Sequence, residues 1–173
     1  MQMKSKLMLP VGLAAIIITA LVTGWLAFSG HSKNETTCTL NVPEKIASLP
    51  RTEFISGPEA IQQITMMHGK NISLDEGHIA KYKSGDTEIT LWISVSPSRE
   101  EGEELFRLMD EKMPASKVFK NRQEVEIRNR KVIKVNGMGQ EHYYWFSGKY
   151  NYWIAVAGTD GKTIVEELML KVE

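Results

Sequence analysis

The segment 158–163, with the sequence GTDGKT, has the composition of a phosphate-binding loop and stands between a predicted strand and a predicted helix. A phosphate-binding loop also needs a glycine five positions before Gly161, and that position holds Val156. Only ten residues follow Thr163, too few for the parallel sheet and the magnesium-binding aspartate of a nucleotide site. We therefore interpret Asp160 as the N-cap of the last helix and predict no nucleotide binding.

The histidines of the folded part offer candidate metal ligands and bases, but their spacing favours neither role. His78 and His142 fall on separate predicted strands, and His68 falls in the last turn of a helix. Glu141 precedes His142 directly, so the two side chains point to opposite faces of a sheet and form no acid/base dyad. Cys38 is the single cysteine, which excludes a covalent haem motif. The sequence therefore predicts no metal site, no cofactor and no enzymatic activity.

Aromatic residues are concentrated on two consecutive predicted strands near the carboxyl terminus. Alternation along a strand places rings on both faces of a sheet, so one set fills the core and the other needs a cover. A helix or the linker is one cover; otherwise the rings form an exposed patch of the kind that interfaces favour. The candidate interaction surface comprises Trp92, Tyr143, Tyr144, Trp145, Tyr150, Tyr152 and Trp153. Rings that converge on an open cleft with a histidine favour ligand binding, whereas flat, exposed rings favour a protein or lipid interface.

A basic segment follows an acidic helix and forms a second candidate surface. Its members are Lys117, Lys120, Arg122, Arg128, Arg130, Lys131 and Lys134. Such charges usually mark a solvated hairpin, and the alternative is a patch that meets anionic lipid headgroups or an acidic partner. The chain as a whole carries 21 basic and 21 acidic residues, a balance that predicts no nucleic-acid binding.

Period-two and helical patterns define the predicted elements of one domain. They are a strand (52–55), a helix beginning at Pro58, a hairpin (78–83 and 88–96), a helix capped by Ser98, two hairpins (124–128 with 131–136, and 140–146 with 150–157) and a closing helix (163–172). Asn129 and Arg130 provide a tight turn in the second hairpin. The order of elements predicts an α+β fold of two layers, with helices on an antiparallel sheet. Its first part has the order of a ferredoxin-like unit, which the aromatic hairpin would extend.

The amino-terminal part predicts a membrane anchor. Residues 7–29 carry no charge and are long enough as a helix to cross a hydrocarbon core of ~30 Å. Lys4 and Lys6 in the basic start, residues 1–6, predict a cytoplasmic amino terminus. Residues 30–50 are interpreted as a linker, and residues 51–173 as a domain outside the cytoplasm. The alternative is a signal peptide cleaved after the small-residue site at residues 27–29.

These features predict a single-pass protein of the cell membrane, whose outer domain is a binding or accessory module for a partner protein or membrane complex. The alternative is an exported domain that binds a small ligand or cofactor. Asn34 and Asn71 lie in glycosylation acceptor patterns on the predicted outer side, and Cys38 is interpreted as a passive linker residue.

Overall fold

The computed structural model describes residues 40–68 and 72–172. Its elements are β1 (Lys45–Ile46), β2 (Leu49–Ser56), α1 (Pro58–His68), β3 (Glu76–Ser84), β4 (Thr87–Val95), α2 (Arg99–Lys112), β5 (Lys120–Ile127), β6 (Arg130–Gly137), β7 (Gln140–Ser147), β8 (Tyr150–Ala157) and α3 (Gly161–Val172). The predicted membrane span at 7–29, Asn34, Cys38 and Asn71 lie outside the described residues. Within the described ranges, no helix is long and apolar enough to span a membrane.

The strands form one eight-stranded sheet in the order β1-β2-β3-β4-β8-β7-β6-β5, and every neighbouring pair is antiparallel. The α+β class with an antiparallel sheet is therefore confirmed. Two four-stranded meanders meet at β4 and β8, where Trp92 lies opposite Trp153. The predicted ferredoxin-like unit is wrong, because β2 and β3, which α1 connects, are antiparallel neighbours rather than parallel strands with another strand between them.

Local sequence explains the helix starts and the hairpin turns. The Ser98 hydroxyl accepts a hydrogen bond of 3.1 Å from the Glu101 amide, and Asp160 accepts one of 3.0 Å from the Thr163 amide, which confirms both predicted N-caps. The β5–β6 turn is made by Arg128 and Asn129, with φ angles of 51° and 60°, one residue before the predicted turn. Positive φ at both positions is the geometry that matches the twist of paired strands.

Helices cover both faces of the sheet, so the domain has three layers rather than the two predicted. On one face, which we call the closed face, Ile89, Leu91 and Ile93 of β4 pack in the main core with α3. On the opposite face, which we call the cleft face, Trp92 packs with α1 and Trp153 packs with residues of α2. Successive strand residues point to opposite faces, and here both sets are apolar.

Part of the predicted linker belongs to the folded domain. Val42, Ile46 and Leu49 are buried in the main core on the closed face. The hydroxyl of Tyr82 donates a hydrogen bond of 2.8 Å to the Pro43 carbonyl, and the Ala47 amide donates one of 2.7 Å to the Glu167 carboxylate on α3. This segment has too few apolar residues for a recognisable period, which explains the boundary predicted at residue 51.

Candidate functional site

An apolar cleft of about 270 Å³ opens on the cleft face between α1 and α2. Trp92 and Ser94 of β4 lie on its floor, and their direct partners across the strands, Trp153 and Asn151 of β8, lie beside them. The walls and the end of the cleft are formed by Ile64, Met67 and His68 of α1, by Leu105, Leu108, Met109 and Lys112 of α2, and by Ile72, Met113, Phe119, Met138 and His142. We call this site the cleft.

The gap exists because the two helices pack on different strands. α1 packs on β3, where a side chain on Gly77 would place its Cβ 2.9 Å from the Ile61 backbone nitrogen. α2 packs on β7 and β8, where a Cβ on Gly102 would come within 3.2 Å of the Lys149 backbone. The Asn151 amide group donates a hydrogen bond of 2.8 Å to the Gly102 carbonyl and holds α2 there. β4 lies between β3 and β8, so its centre faces the space between the helices.

His142 orients the indole of Trp153 and is itself fully engaged. The Trp153 indole N–H donates to His142 Nδ1 at 3.1 Å, and His142 Nε2 lies 3.1 Å from the Gly137 carbonyl oxygen. A carbonyl only accepts, so this geometry requires a neutral ring with the proton on Nε2. Burial lowers the pKa of His142, against the opposing effect of the Gly137 carbonyl. Both ring nitrogens are occupied, and neither is open to a metal or a substrate proton.

Asn151 and Ser94 are the buried polar residues between the tryptophans and the start of α2. Asn151 is 6% exposed and Ser94 is 5% exposed. The side-chain oxygen of Asn151 is enclosed and receives no hydrogen bond from the described residues. Lys112 is the cleft-lining residue with a permanent charge, and it lies at the other end of α2. The described residues contain no group of three or more His, Cys, Asp or Glu side chains that could hold a metal ion.

The seven aromatic residues predicted as one interaction surface are divided between the core and the cleft. Tyr143, Tyr144, Trp145 and Tyr152 are each at most 1% exposed, because helices or the segment before β2 cover both faces. Tyr150 is half-buried and packs against the core of the closed face. Trp92 and Trp153 are half-buried and converge on the cleft beside His142. Of the two arrangements considered from the sequence, rings that converge on an open cleft with a histidine are the one that favours ligand binding.

The basic segment is also divided. Alternation on the strands directs Arg122 toward Asp110 of α2 and Lys134 toward Glu141 on the closed face. Lys131 pairs with Glu124 at 2.6 Å. Further contacts join Arg130 to the Ser147 hydroxyl at 3.0 Å and Lys120 to the Ser116 carbonyl at 2.7 Å, while Lys117 and Arg128 are exposed. Most of these cations therefore neutralise or contact their own neighbours, and a role for the segment in binding a partner stays a prediction.

A carboxylate network fixes α2 over the sheet. Asp110 of α2 accepts hydrogen bonds from the Tyr144 hydroxyl at 2.8 Å and from two nitrogens of Arg122 on β5 at 2.7 and 2.6 Å. The Arg122 guanidinium lowers the pKa of Asp110, against the effect of burial. Burial and the Asp110 carboxylate raise the pKa of Tyr144. The network keeps the α2 wall of the cleft in place.

A second carboxylate network lies on the closed face, and its tyrosine is Tyr143, the residue of β7 next to Tyr144. Glu141 accepts a hydrogen bond of 2.8 Å from the Tyr143 hydroxyl and a charged one from Lys134. Burial opposes ionisation of Glu141, but these two donors outweigh it and its pKa is lowered. Burial and the hydrogen bond to Glu141 raise the pKa of Tyr143 to about 12. This network lies at the start of α3, where a Cβ on Gly161 would come within 2.7 Å of Glu141.

The predicted set of site residues did not contain Ser94, Asn151, His142 or the apolar residues of the helix walls. Ser94 carried a signal, since it is a polar residue in a strand whose neighbours are mostly buried. Its pairing with Asn151 depends on the register between two strands far apart in the chain, which no local pattern specifies. Comparison with models of known protein families, with curated proteins and with solved structures found no match.

Proposed function

We propose that this chain is a membrane-anchored domain outside the cytoplasm that binds a small apolar ligand in the cleft. The observation that carries the proposal is the convergence of Trp92 and Trp153 on an open, apolar cleft. Small-molecule sites are typically concave, lined by apolar and aromatic side chains and about 300–1,000 Å³ in volume. A volume of about 270 Å³ lies just below that range and suits a single chain or a compact ring system.

The residues at the mouth of the cleft support an occupied state. Met67, Leu108 and Met138 are 57%, 37% and 71% exposed, so apolar side chains border the opening. Covering such a patch is favourable, and methionine side chains adjust to ligands of different shape. His142 has no free nitrogen, which favours binding rather than acid/base catalysis. A domain tethered by residues 7–29 would meet apolar compounds that partition into the bilayer.

A second candidate is the accessory module predicted from the sequence, in which the same opening receives an amphipathic helix of a partner protein. The observation that favours it is the pair of exposed methionines, Met67 and Met138, on two sides of the opening. Flexible, Met-rich grooves bind such helices in other proteins. A helix would bury the mouth of the cleft, whereas a small ligand would occupy its floor beside Trp92 and Trp153.

Photolabelling of the full chain in lipid nanodiscs tests the proposal. A dodecyl diazirine is activated by light, and the labelled peptides are identified by mass spectrometry. We expect labelling of peptides from α2 and β8, in addition to the predicted lipid-facing segment 7–29, which serves as an internal reference. Leu108→Arg should reduce the cleft labelling roughly tenfold, since losing the apolar contact between Leu108 and the bound ligand costs about 1.5 kcal/mol.

Leu170→Arg is the matched control. Leu170 is 62% exposed on α3, on the other side of the sheet, so the same substitution should leave the labelling of α2 and β8 unchanged. Cleft labelling that is absent in the wild type, or equal in both variants, would refute the binding site. A co-purified subunit that Leu108→Arg removes, without any cleft labelling, would favour the second candidate.

A further inference from the structure

The lining of the cleft contains bases but no acids. None of the described residues that line it is an aspartate or a glutamate, whereas Lys112, His68 and His142 are bases. His142 is neutral, and both of its nitrogens are engaged with Trp153 and Gly137. Lys112 and His68 therefore determine which charge the cleft presents to the polar part of a ligand.

Lys112 lies on the face of α2 that borders the cleft. Residues three and four positions apart are neighbours on a helix surface, and the residues at these positions before Lys112 are Met109 and Leu108. Both are apolar and both line the cleft. Lys112 itself is exposed, so its ammonium group can reach the opening without being desolvated.

The carboxylates next to Lys112 in the chain are bound to other cations. Asp110 is held by Arg122 of β5, and Glu111 is held by Arg107, one turn before it on α2. The described residues therefore supply no counter-ion to Lys112. A positive charge beside an apolar cleft is open to an anion from outside the chain.

His68 presents a second accessible nitrogen to the cleft. Its Nδ1 lies 2.8 Å from the Ile64 carbonyl oxygen, and a carbonyl only accepts, so the proton of the neutral ring is on Nδ1. Its Nε2 has no hydrogen-bond partner among the described residues and is not enclosed. This nitrogen becomes a donor when it takes up a proton, so the second base of the lining is also compatible with an anion.

The start of α2 has the opposite charge. A shallow recess of about 350 Å³ lies beside the cleft there and shares Leu108 with it. Its charged residues are Glu100, Glu101 and Glu104. Eight helical residues separate Glu104 from Lys112, a distance of about 12 Å along the axis. The charge along α2 thus favours an anionic group near Lys112 and disfavours one at the recess.

We infer that the ligand is a single-chain amphiphile with an anionic head group, a carboxylate or a phosphate, bound at Lys112. This inference rests on the proposed function and specifies the chemical class of the ligand. The head group pairs with the Lys112 ammonium group at the opening, where both remain in contact with water. The apolar chain runs across Trp92 and Trp153 toward Leu105, near the start of α2.

Competition against the photolabel tests the inference on the full chain in nanodiscs of zwitterionic lipid at pH 8. The competitors are dodecanoate and dodecyl phosphate, which are anionic, and dodecyltrimethylammonium, which is cationic with the same chain. We expect an anion to suppress cleft labelling at about one fifth of the cation concentration, since an exposed ion pair contributes modestly. The anion that acts at the lower concentration identifies the head group. Labelling of segment 7–29 corrects for the amount of each competitor in the bilayer.

Two variants and one control complete the test. Lys112→Met removes the charge from a side chain of similar length and should abolish the preference for the anion. Lys112→Glu reverses the charge and should make the cation the stronger competitor. Lys162→Glu makes the same change of charge on α3, on the other side of the sheet, where the lysine side chain is 57% exposed. It should leave the preference unchanged.

The outcomes separate this inference from the proposed function. Equal suppression by anions and cation, or a preference that Lys112→Glu does not alter, would refute the anionic head group and leave the apolar site intact. Stronger suppression by the cation in the wild type would also refute it. If Lys112 only stabilises the end of α2, Lys112→Met should lower the free energy of unfolding without changing the preference, which would refute the inference as well. Absence of cleft labelling without any competitor would refute the proposed function itself.

Discussion

The two faces of the sheet differ in how completely their apolar surface is covered. On the closed face, α3 and residues 40–49 join one continuous core that includes Leu91, Trp145 and Leu168. On the cleft face, the buried residues form two separate clusters, one under α1 with Trp92 and one under α2 with Trp153. These two tryptophans are direct neighbours across β4 and β8, so the gap between the clusters lies between adjacent strands.

This difference separates stability from binding within one small sheet. A continuous, close-packed core supplies the stability of the domain, and it has no free volume to offer a ligand. Two clusters separated by a gap bury less surface, but they leave tryptophan faces accessible from solvent. The comparison predicts that equal chemical changes on the two faces have unequal consequences, and three experiments sharpen or break it.

The largest expected effect comes from shortening one leucine on each face. Leu168→Ala on α3 removes a side chain that is 0% exposed in the main core and should lower the free energy of unfolding by about 3–4 kcal/mol. Leu105→Ala on α2 removes a side chain that borders the cleft, where less packing is lost, and should cost about 1–2 kcal/mol. Urea unfolding followed by circular dichroism measures both. Equal losses would show that the two faces are equally packed.

An intermediate effect is expected from the two adjacent tyrosines of β7. Tyr143→Phe and Tyr144→Phe each remove one hydrogen bond to a carboxylate, Glu141 on the closed face and Asp110 on α2. Each should lower the free energy of unfolding by about 1.5 kcal/mol. Only Tyr144→Phe loosens α2, so it alone should reduce photolabelling of the cleft several-fold. A similar reduction with Tyr143→Phe would mean that the faces are coupled rather than independent.

Local patterns in the sequence were sufficient for much of the fold. The alternation from Ile89 to Val95 and the aromatic strands around residue 148 gave the hairpins β3–β4 and β7–β8, and capping residues gave the starts of α2 and α3. These features depend on residues within a few positions of one another. The alternation of the aromatic residues also predicted rings on both faces of the sheet. It left open whether the rings on the second face form a flat surface or converge on a cleft.

The arrangement of the site depended on contacts that no local pattern encodes. The pairing of β4 with β8 joins residues about 60 positions apart and alone brings Trp92 to Trp153 and Ser94 to Asn151. The sequence also did not determine on which face of the sheet each helix packs, since an apolar stripe on a helix can pack on either face. The close approaches at Gly77 and Gly102 fix those choices through backbone contacts that become apparent only in three dimensions.

The smallest expected effect is a dependence of stability on pH that originates on the cleft face. Burial lowers the pKa of His142 below its ordinary value of 6.5, and its Nδ1 accepts the Trp153 indole N–H only while the ring is neutral. The unfolded chain therefore binds a proton more readily than the folded one once the pH falls below about 6.5. The free energy of unfolding should then decrease by up to about 1.4 kcal/mol for each pH unit, until the pH reaches the folded-state pKa.

His142→Gln isolates this contribution. A glutamine amide can accept from the Trp153 indole and donate to the Gly137 carbonyl, but it does not titrate. Urea unfolding at pH values from about 7.5 to 5.5 should give a steeper loss of stability for the wild type than for the variant, and the difference cancels the groups common to both. Parallel curves would show that His142 takes up its proton equally in both states. The floor of the cleft would then not require a neutral imidazole, and the position of Trp153 would depend on packing against Tyr144 and Phe119 alone.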